Sequence, residues 1–212
     1  MKVAIIGAGN VGGTPGTAWA QKAGHEIVFG ARSPNSDKTQ ALLRMLGGKA
    51  RAGMAAEPAA FGEMIMLATP WPATEAAIRC IGERGGRVLL DATNPLTMGP
   101  GGLGLEIGHS ISAGEKVQSC AKGAAVFKTL NTTGFGNMAD PVFHGVKSHV
   151  RSRRLRGQQT ERDRTRGDAR LRRRRRGPTP QCPPVRGTRH GVDRAWLKRR
   201  MGHDFAFAVV SR

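Results

Sequence analysis

Lys2-Val-Ala-Ile-Ile-Gly-Ala-Gly-Asn-Val-Gly12 runs a short apolar strand straight into Gly7-x-Gly9-x-x-Gly12. A glycine triplet alone says little. Here a helical stretch, Val11 to Ala23, follows it, and a second strand, Glu26 to Phe29, comes next, which is the setting in which such a turn cradles the diphosphate of a dinucleotide. Gly7 permits the tight turn off the strand, Gly9 lets backbone approach a phosphate with no Cβ between, and Gly12 lets the helix press against the strand. The anion would meet free N–H groups at the positive end of the helix dipole. The plainer alternative is a glycine-rich turn with no ligand.

The end of the second strand bears on which nucleotide is read. A site for NAD usually places Asp or Glu there to accept from the ribose hydroxyls. This chain has Phe29-Gly30-Ala31-Arg32-Ser33 instead, and Glu26 stands at the start of the strand, too far back. The cationic fork of Arg32 and the hydroxyl of Ser33 suit a 2′-phosphate, so NADP is favoured over NAD. The competing reading is a solvated loop arginine.

Composition changes sharply along the chain. Of its 212 residues, 39% are hydrophobic and only 5% aromatic, enough for one α/β domain with at most a small cap. Residues 1–147 hold 14 Lys+Arg and 10 Asp+Glu, leaving 20 and 5 for residues 148–212, so the last third carries a net of +15 out of +19. Before that seam, apolar strands read at Val3 to Ile6, Glu26 to Phe29, Met64 to Ala68, Arg87 to Asp91 and Ala124 to Leu130, with helices such as Lys38 to Leu46 and Pro72 to Ile81 between them. This alternation predicts an α/β fold with a doubly wound parallel Rossmann sheet. Pro15 is expected to delete a hydrogen bond in the first helix and kink it, weakening the cradle. No secretory signal or membrane span is read, which makes the cytoplasm the expected location. Cys80, Cys120 and Cys182 match no metal or disulfide spacing and read as free thiols.

The stretches IIGAGNVGG, GHEIVFGARS, LATPWPA, LLDATNPL and FKTLNTTGFGNMADP together resemble the NADP-dependent oxidoreductases of the deazaflavin-coenzyme:NADP reductase type, which share an N-terminal domain with pyrroline-5-carboxylate reductase. The resemblance covers residues 1–147. It implies NADP as cofactor, held by Gly9, Asn10, Val11 and Gly12 of the turn and by Ala31 and Arg32 after the second strand. It also implies that Thr69, Pro70 and Trp71 border the nicotinamide. Each of these lies at the carboxyl end of a strand, where open α/β sheets bind ligands, as do Asn94-Pro95 and Asn131-Thr132-Thr133. Read singly, each of the three loops is also ordinary turn chemistry.

Hydride transfer needs no protein nucleophile, because the nicotinamide carries the chemistry. A carbonyl or imine acceptor would need a proton donor as well, and His109, in Gly108-His109-Ser110, is the candidate. The plainer reading makes His109 a loop residue with a structural hydrogen bond. A small-molecule hydride acceptor or donor is the expected partner, and nothing in the residues selects among a deazaflavin, a flavin, an imine or a quinone.

Residues 148–200, with Arg151-Ser-Arg-Arg154, the run Arg172–Arg176 and Pro183-Pro184, lack apolar periodicity and are expected to stay disordered. Then Met201-Gly-His-Asp-Phe-Ala-Phe-Ala-Val-Val210 resembles the family C-terminus again. Shifting the implied codons by one base turns residues 171–196 into a strand, a Gly-Pro turn and an apolar helix, and residues 149–154 into another strand. We read this as a frameshift near residue 147, reversed between Trp196 and Met201. The chain as written is then expected to lack the last sheet strand and the helix that, in the resembling enzymes, covers the substrate side and helps form a homodimer. Two further readings stand beside the enzyme. One is a catalytically impaired dinucleotide-binding remnant. The other is a nucleic-acid-binding protein using its basic tail, disfavoured because no aromatic residues are interleaved and no reading module is present.

Overall fold

The computed structural model describes residues 1–83, 85–107, 110–140, 142–143, 146–147 and 153–154. Strand β1 (Lys2–Ile6) lies centrally, flanked by β2 (Glu26–Gly30) and then β3 (Ala50–Gly53) on one side, and by β4 (Met64–Leu67), β5 (Val88–Asp91) and β8 (Ala125–Lys128) on the other. All these pairings are parallel. The chain moves outward from β1 to β3 and then crosses back to β4, so the topological switch lies between β1 and β4. Between β5 and β8 a separate antiparallel hairpin, β6 (Leu96–Gly99) and β7 (Gly102–Leu105), stands apart from the main sheet. The short strands β9 (Val142–Phe143) and β10 (Val146–Lys147) form another hairpin.

Alternation along β1 divides the core into two layers. Val3 and Ile5 face Ile27, Phe29 and Met66, covered by Ala20 of α1 (Asn10–Lys22) and by Leu46, just past α2 (Asp37–Met45). Ala4 and Ile6 face Ile65, Leu67, Leu89 and Val126. That side is covered by Ala59 of α3 (Ala56–Phe61), Ile78 and Ile81 of α4 (Trp71–Ile81) and Val117 of α5 (Ala113–Cys120). α1 is a poor helix by propensity, with Gly12, Gly13, Pro15 and Gly16 inside it, and burial of its small face holds it in place. Pro15 lies inside α1 without ending it.

One expectation needs correction. The strand read as Ala124 to Leu130 stops at Lys128, because Leu130 adopts a φ of 63° and turns the chain out of the sheet. Two residues past the composition seam, β11 (Arg153–Arg154), pair antiparallel with β8, Arg153 opposite Lys128 and Arg154 opposite Phe127. An edge strand recruits a partner through main-chain N–H and C=O groups, so two residues of any composition suffice. Sheet and helices also include β3, α3 and α5, which the apolar pattern does not reveal. The frameshift, Cys182 and residues 155–212 lie outside the described residues, whereas Cys80 and Cys120 are free thiols.

Arg87, at the mouth of β5, stabilises the sheet's other end. Its Nη1 donates to the Ala59 and Gly62 carbonyls at 2.8 and 2.7 Å, satisfying the last turn of α3. Arg87→Met keeps the aliphatic stem and strands both acceptors. A loss of about 1–3 kcal/mol is expected, seen as a lower urea midpoint with unchanged slope.

Candidate functional site

Register places the carboxyl ends of five strands on one line, with Ile6 opposite Gly30 and Leu67, Leu67 opposite Asp91, and Asp91 opposite Lys128. The loops that begin at Gly7, Ala31, Ala68, Ala92 and Thr129 leave from that line. Gly7, at φ 115°, donates its N–H to the Gly30 carbonyl at 2.8 Å, and a Cβ on it would lie 2.5 Å from the Ala68 carbonyl oxygen. No side chain other than glycine's fits this switch-point turn. A Cβ on Gly12 would overlap the Gly7 carbonyl oxygen, so helix and turn are packed backbone to backbone.

Gly9 differs from both. It caps α1 with extended backbone, and a Cβ placed on it meets no atom within 4 Å. The protein itself does not require glycine there, which leaves the open side of the turn for a ligand. α1 has no side-chain cap and no acidic residue in its first turn, so the N–H groups of Asn10 and Val11 keep the helix's positive end available. These residues fit a nucleotide diphosphate.

Arg32 and Ser33 follow β2 on a loop held at both ends. Ala31 N–H donates to the Gly53 carbonyl at 3.0 Å, and the Ser33 carbonyl accepts from Ser36 N–H at 3.1 Å. Ser36 then caps α2 through Thr39. Arg32 is exposed and forms no ion pair among the described residues, so its guanidinium is available to an outside anion. Beyond β4, Thr69 Oγ1 hydrogen-bonds with Thr74 Oγ1 at 3.1 Å, and Thr74 Oγ1 donates to the Pro70 carbonyl, fixing the loop that leads into half-buried Trp71 at the first position of α4.

At the ends of β5 and β8 the structure assembles a polar chain that the apolar pattern hides. Asp91 is fully buried and Lys128 nearly so, with Nζ 3.0 Å from Asp91 Oδ2. Asp91 Oδ1 accepts from Thr93 N–H at 2.9 Å and Thr93 Oγ1 at 2.7 Å. Lys128 Nζ also donates to the Thr93 carbonyl. Asn131 Nδ2 donates to that carbonyl at 3.1 Å and to Asn94 Oδ1 at 2.5 Å, so the loops after β5 and β8 are bonded together. Leu130 in left-handed backbone, at a cost of about 1–2 kcal/mol, makes the bend between Lys128 and Asn131. Asp91 and Lys128 were absent from the sequence-level candidates. The signal was a charge closing each of two otherwise apolar strands. His109 lies outside the described residues. Among the described residues no cluster of His, Cys, Asp and Glu forms a metal site, and no helix is long and apolar enough to cross a membrane.

The family model described as NADP oxidoreductase coenzyme F420-dependent matches residues 2–95. The match covers less than half of the chain. The family's description names NADP as its nucleotide. Among solved structures, the chain is similar to a candidate F420-dependent NADP-reductase from Arthrobacter sp. FB24, at 24% identity and TM-score 0.76 over 100% of both chains. A hypothetical protein from Sinorhizobium meliloti aligns at 21% identity and TM-score 0.63 over 81% of this chain and 79% of its own. A pyrroline-5-carboxylate reductase from Coxiella burnetii aligns at 11% and 0.50, over 81% of this chain and 55% of its own. These likenesses establish a Rossmann-like fold. No curated protein matches the chain.

Proposed function

We propose that this chain is an NADP(H)-dependent oxidoreductase that moves a hydride between NADP and a small acceptor of the deazaflavin kind. The observation that carries the proposal is the juxtaposition of an open, ligand-side glycine and an exposed arginine that forms no ion pair among the described residues, at adjacent strand ends. The family description, which names both NADP and coenzyme F420, supports the acceptor class. Backbone N–H groups of Asn10, Val11 and Gly12 would hold the diphosphate, while Arg32 and Ser33 hold the 2′-phosphate and Ala31 shapes the turn between them. Thr69, Pro70, Trp71 and Asn94 would border the nicotinamide, which when bound supplies the hydride. Trp71 and the Thr69–Thr74 pair keep water from that side, and His109 is the proposed proton donor for acceptors that need one. In this proposal residues 1–147 are the nucleotide-binding unit, residues 148–200 an out-of-frame stretch and residues 201–212 a remnant of the family C-terminus. A cytoplasmic location, and a homodimer once the C-terminal frame is restored, belong to the same reading.

Calorimetry with NADPH and NADH tests it. Wild type is expected to prefer NADPH, and Arg32→Ala to weaken NADPH binding by about 10- to 100-fold, the worth of a charge-assisted pair, with NADH little changed. Equal affinity for the two nucleotides, unaffected by Arg32→Ala, would remove the assignment. A second reading, a nucleotide-binding remnant without turnover, is favoured by the composition of residues 148–200. Binding of NADPH with no reduction of a deazaflavin would support it, and mass spectrometry of peptides across residues 150–195 reports whether the shifted frame is translated.

A further inference from the structure

Thr93 is 2% exposed, and the Asp91–Lys128 pair engages every hydrogen-bonding group it has: Asp91 accepts from its N–H and its hydroxyl, and Lys128 donates to its carbonyl. Charges withdrawn from water hold their place only with good geometry and further hydrogen bonds, and replacing both members of such a pair by apolar residues is often neutral for stability. What this pair secures is the backbone of the loop after β5. The Thr93 carbonyl, so fixed, sets Asn131 in turn. A carbonyl only accepts, so the amide nitrogen of Asn131 must face it, and that same nitrogen reaches Asn94 Oδ1. With its oxygen committed, Asn94 is left with its Nδ2 donors. It is half-buried on the edge that borders the nicotinamide in the proposed function.

We propose that Lys128 is a positioning residue for hydride transfer: through the Thr93 carbonyl and Asn131 it orients Asn94 so that an N–H donor, and not an acceptor, meets a carbonyl oxygen of the nicotinamide carboxamide. The inference rests on the NADP oxidoreductase reading above. It divides the site into two halves. The β1–β2 end holds phosphates and sets affinity, and the β5–β8 end sets the pose of the reactive ring. A residue that contributed only to stability would not separate those two properties.

The full-length chain with NADPH as probe provides the test, reading the dissociation constant by calorimetry and the ring's surroundings by its fluorescence. Lys128→Met alone leaves Asp91 buried without a counter-charge and risks misfolding, so Lys128→Met/Asp91→Asn, which removes both charges and keeps an acceptor for Thr93, is measured beside it. Asn131→Ala leaves the pair intact and cuts the relay. In the double variant and in Asn131→Ala, affinity is expected to change by no more than about twofold, the range for sites that share no partner. The emission change that wild type shows on binding NADPH is expected to be lost in both, and Lys128→Arg to restore part of it. Folded variants that bind NADPH with wild-type emission would overturn the positioning role and leave the proposed function standing. A wild-type chain that takes up no NADPH removes both.

Discussion

Gly12→Ala is expected to abolish NADPH binding and to lower stability by about 1–3 kcal/mol or more, as overpacking does when nothing nearby can yield. The added methyl would overlap the Gly7 carbonyl oxygen and lie 3.0 Å from Ile5 Cγ2. Neither can retreat, since Gly7 is held to Gly30 at 2.8 Å and Ile5 is fully buried in the core. Relief must come from lifting α1 off β1, which removes the N–H groups that would face the diphosphate. Gly9→Ala is the matched control. Its methyl enters empty space, so stability should stay within about 0.5 kcal/mol of wild type, whereas NADPH affinity is expected to fall about tenfold or more because the proposed site puts the phosphates in that space. Thermal unfolding and calorimetry on both variants separate the effects. Unchanged affinity in Gly9→Ala would mean that the turn is structural only.

Asp91→Ala is the second large effect. It strips the counter-charge from the nearly buried Lys128 and leaves Thr93 N–H and Oγ1 without their acceptor. Removing one partner of a buried pair costs about 3–5 kcal/mol, and Asp91→Leu combined with Lys128→Met should recover much of that loss. Urea titration of the two variants checks the sign of the difference. A loss under about 1 kcal/mol for Asp91→Ala would show that the pair behaves as a solvated one.

What the sequence disclosed follows from how each signal is written. Strands β1, β2, β4 and β5 are apolar runs bounded by turn residues, and their ends came within a residue or so of the observed ones because burial on both faces demands continuous hydrophobicity. Ala50–Gly53 has no β-branched residue and exists as β3 because β2 offers it a parallel partner in register, Ile27 opposite Ala50. The glycine-rich hairpin of Leu96–Gly99 and Gly102–Leu105 is equally silent in hydrophobic pattern. For α5 a usable signal was present: Ser112 and Glu115 form a reciprocal capping box, with the Ser–x–x–Glu spacing that marks helix starts. At the candidate site, the glycine turn and Arg32 were legible because each is read from one contiguous stretch of sequence. Asp91 and Lys128 were not. Thirty-seven residues separate them, and only the β5–β8 register, Asp91 opposite Lys128, makes them neighbours.

Asn131 reaches two residues with one nitrogen, and this has an evolutionary corollary. Groups that share a hydrogen-bonding partner do not contribute independently, so a change at Asn94 alters which replacements at Asn131 are tolerated, and the reverse. Descendants of this fold should therefore diverge at those two positions by paired replacement, and grafting one of them alone from a distant homologue should cost more than grafting both.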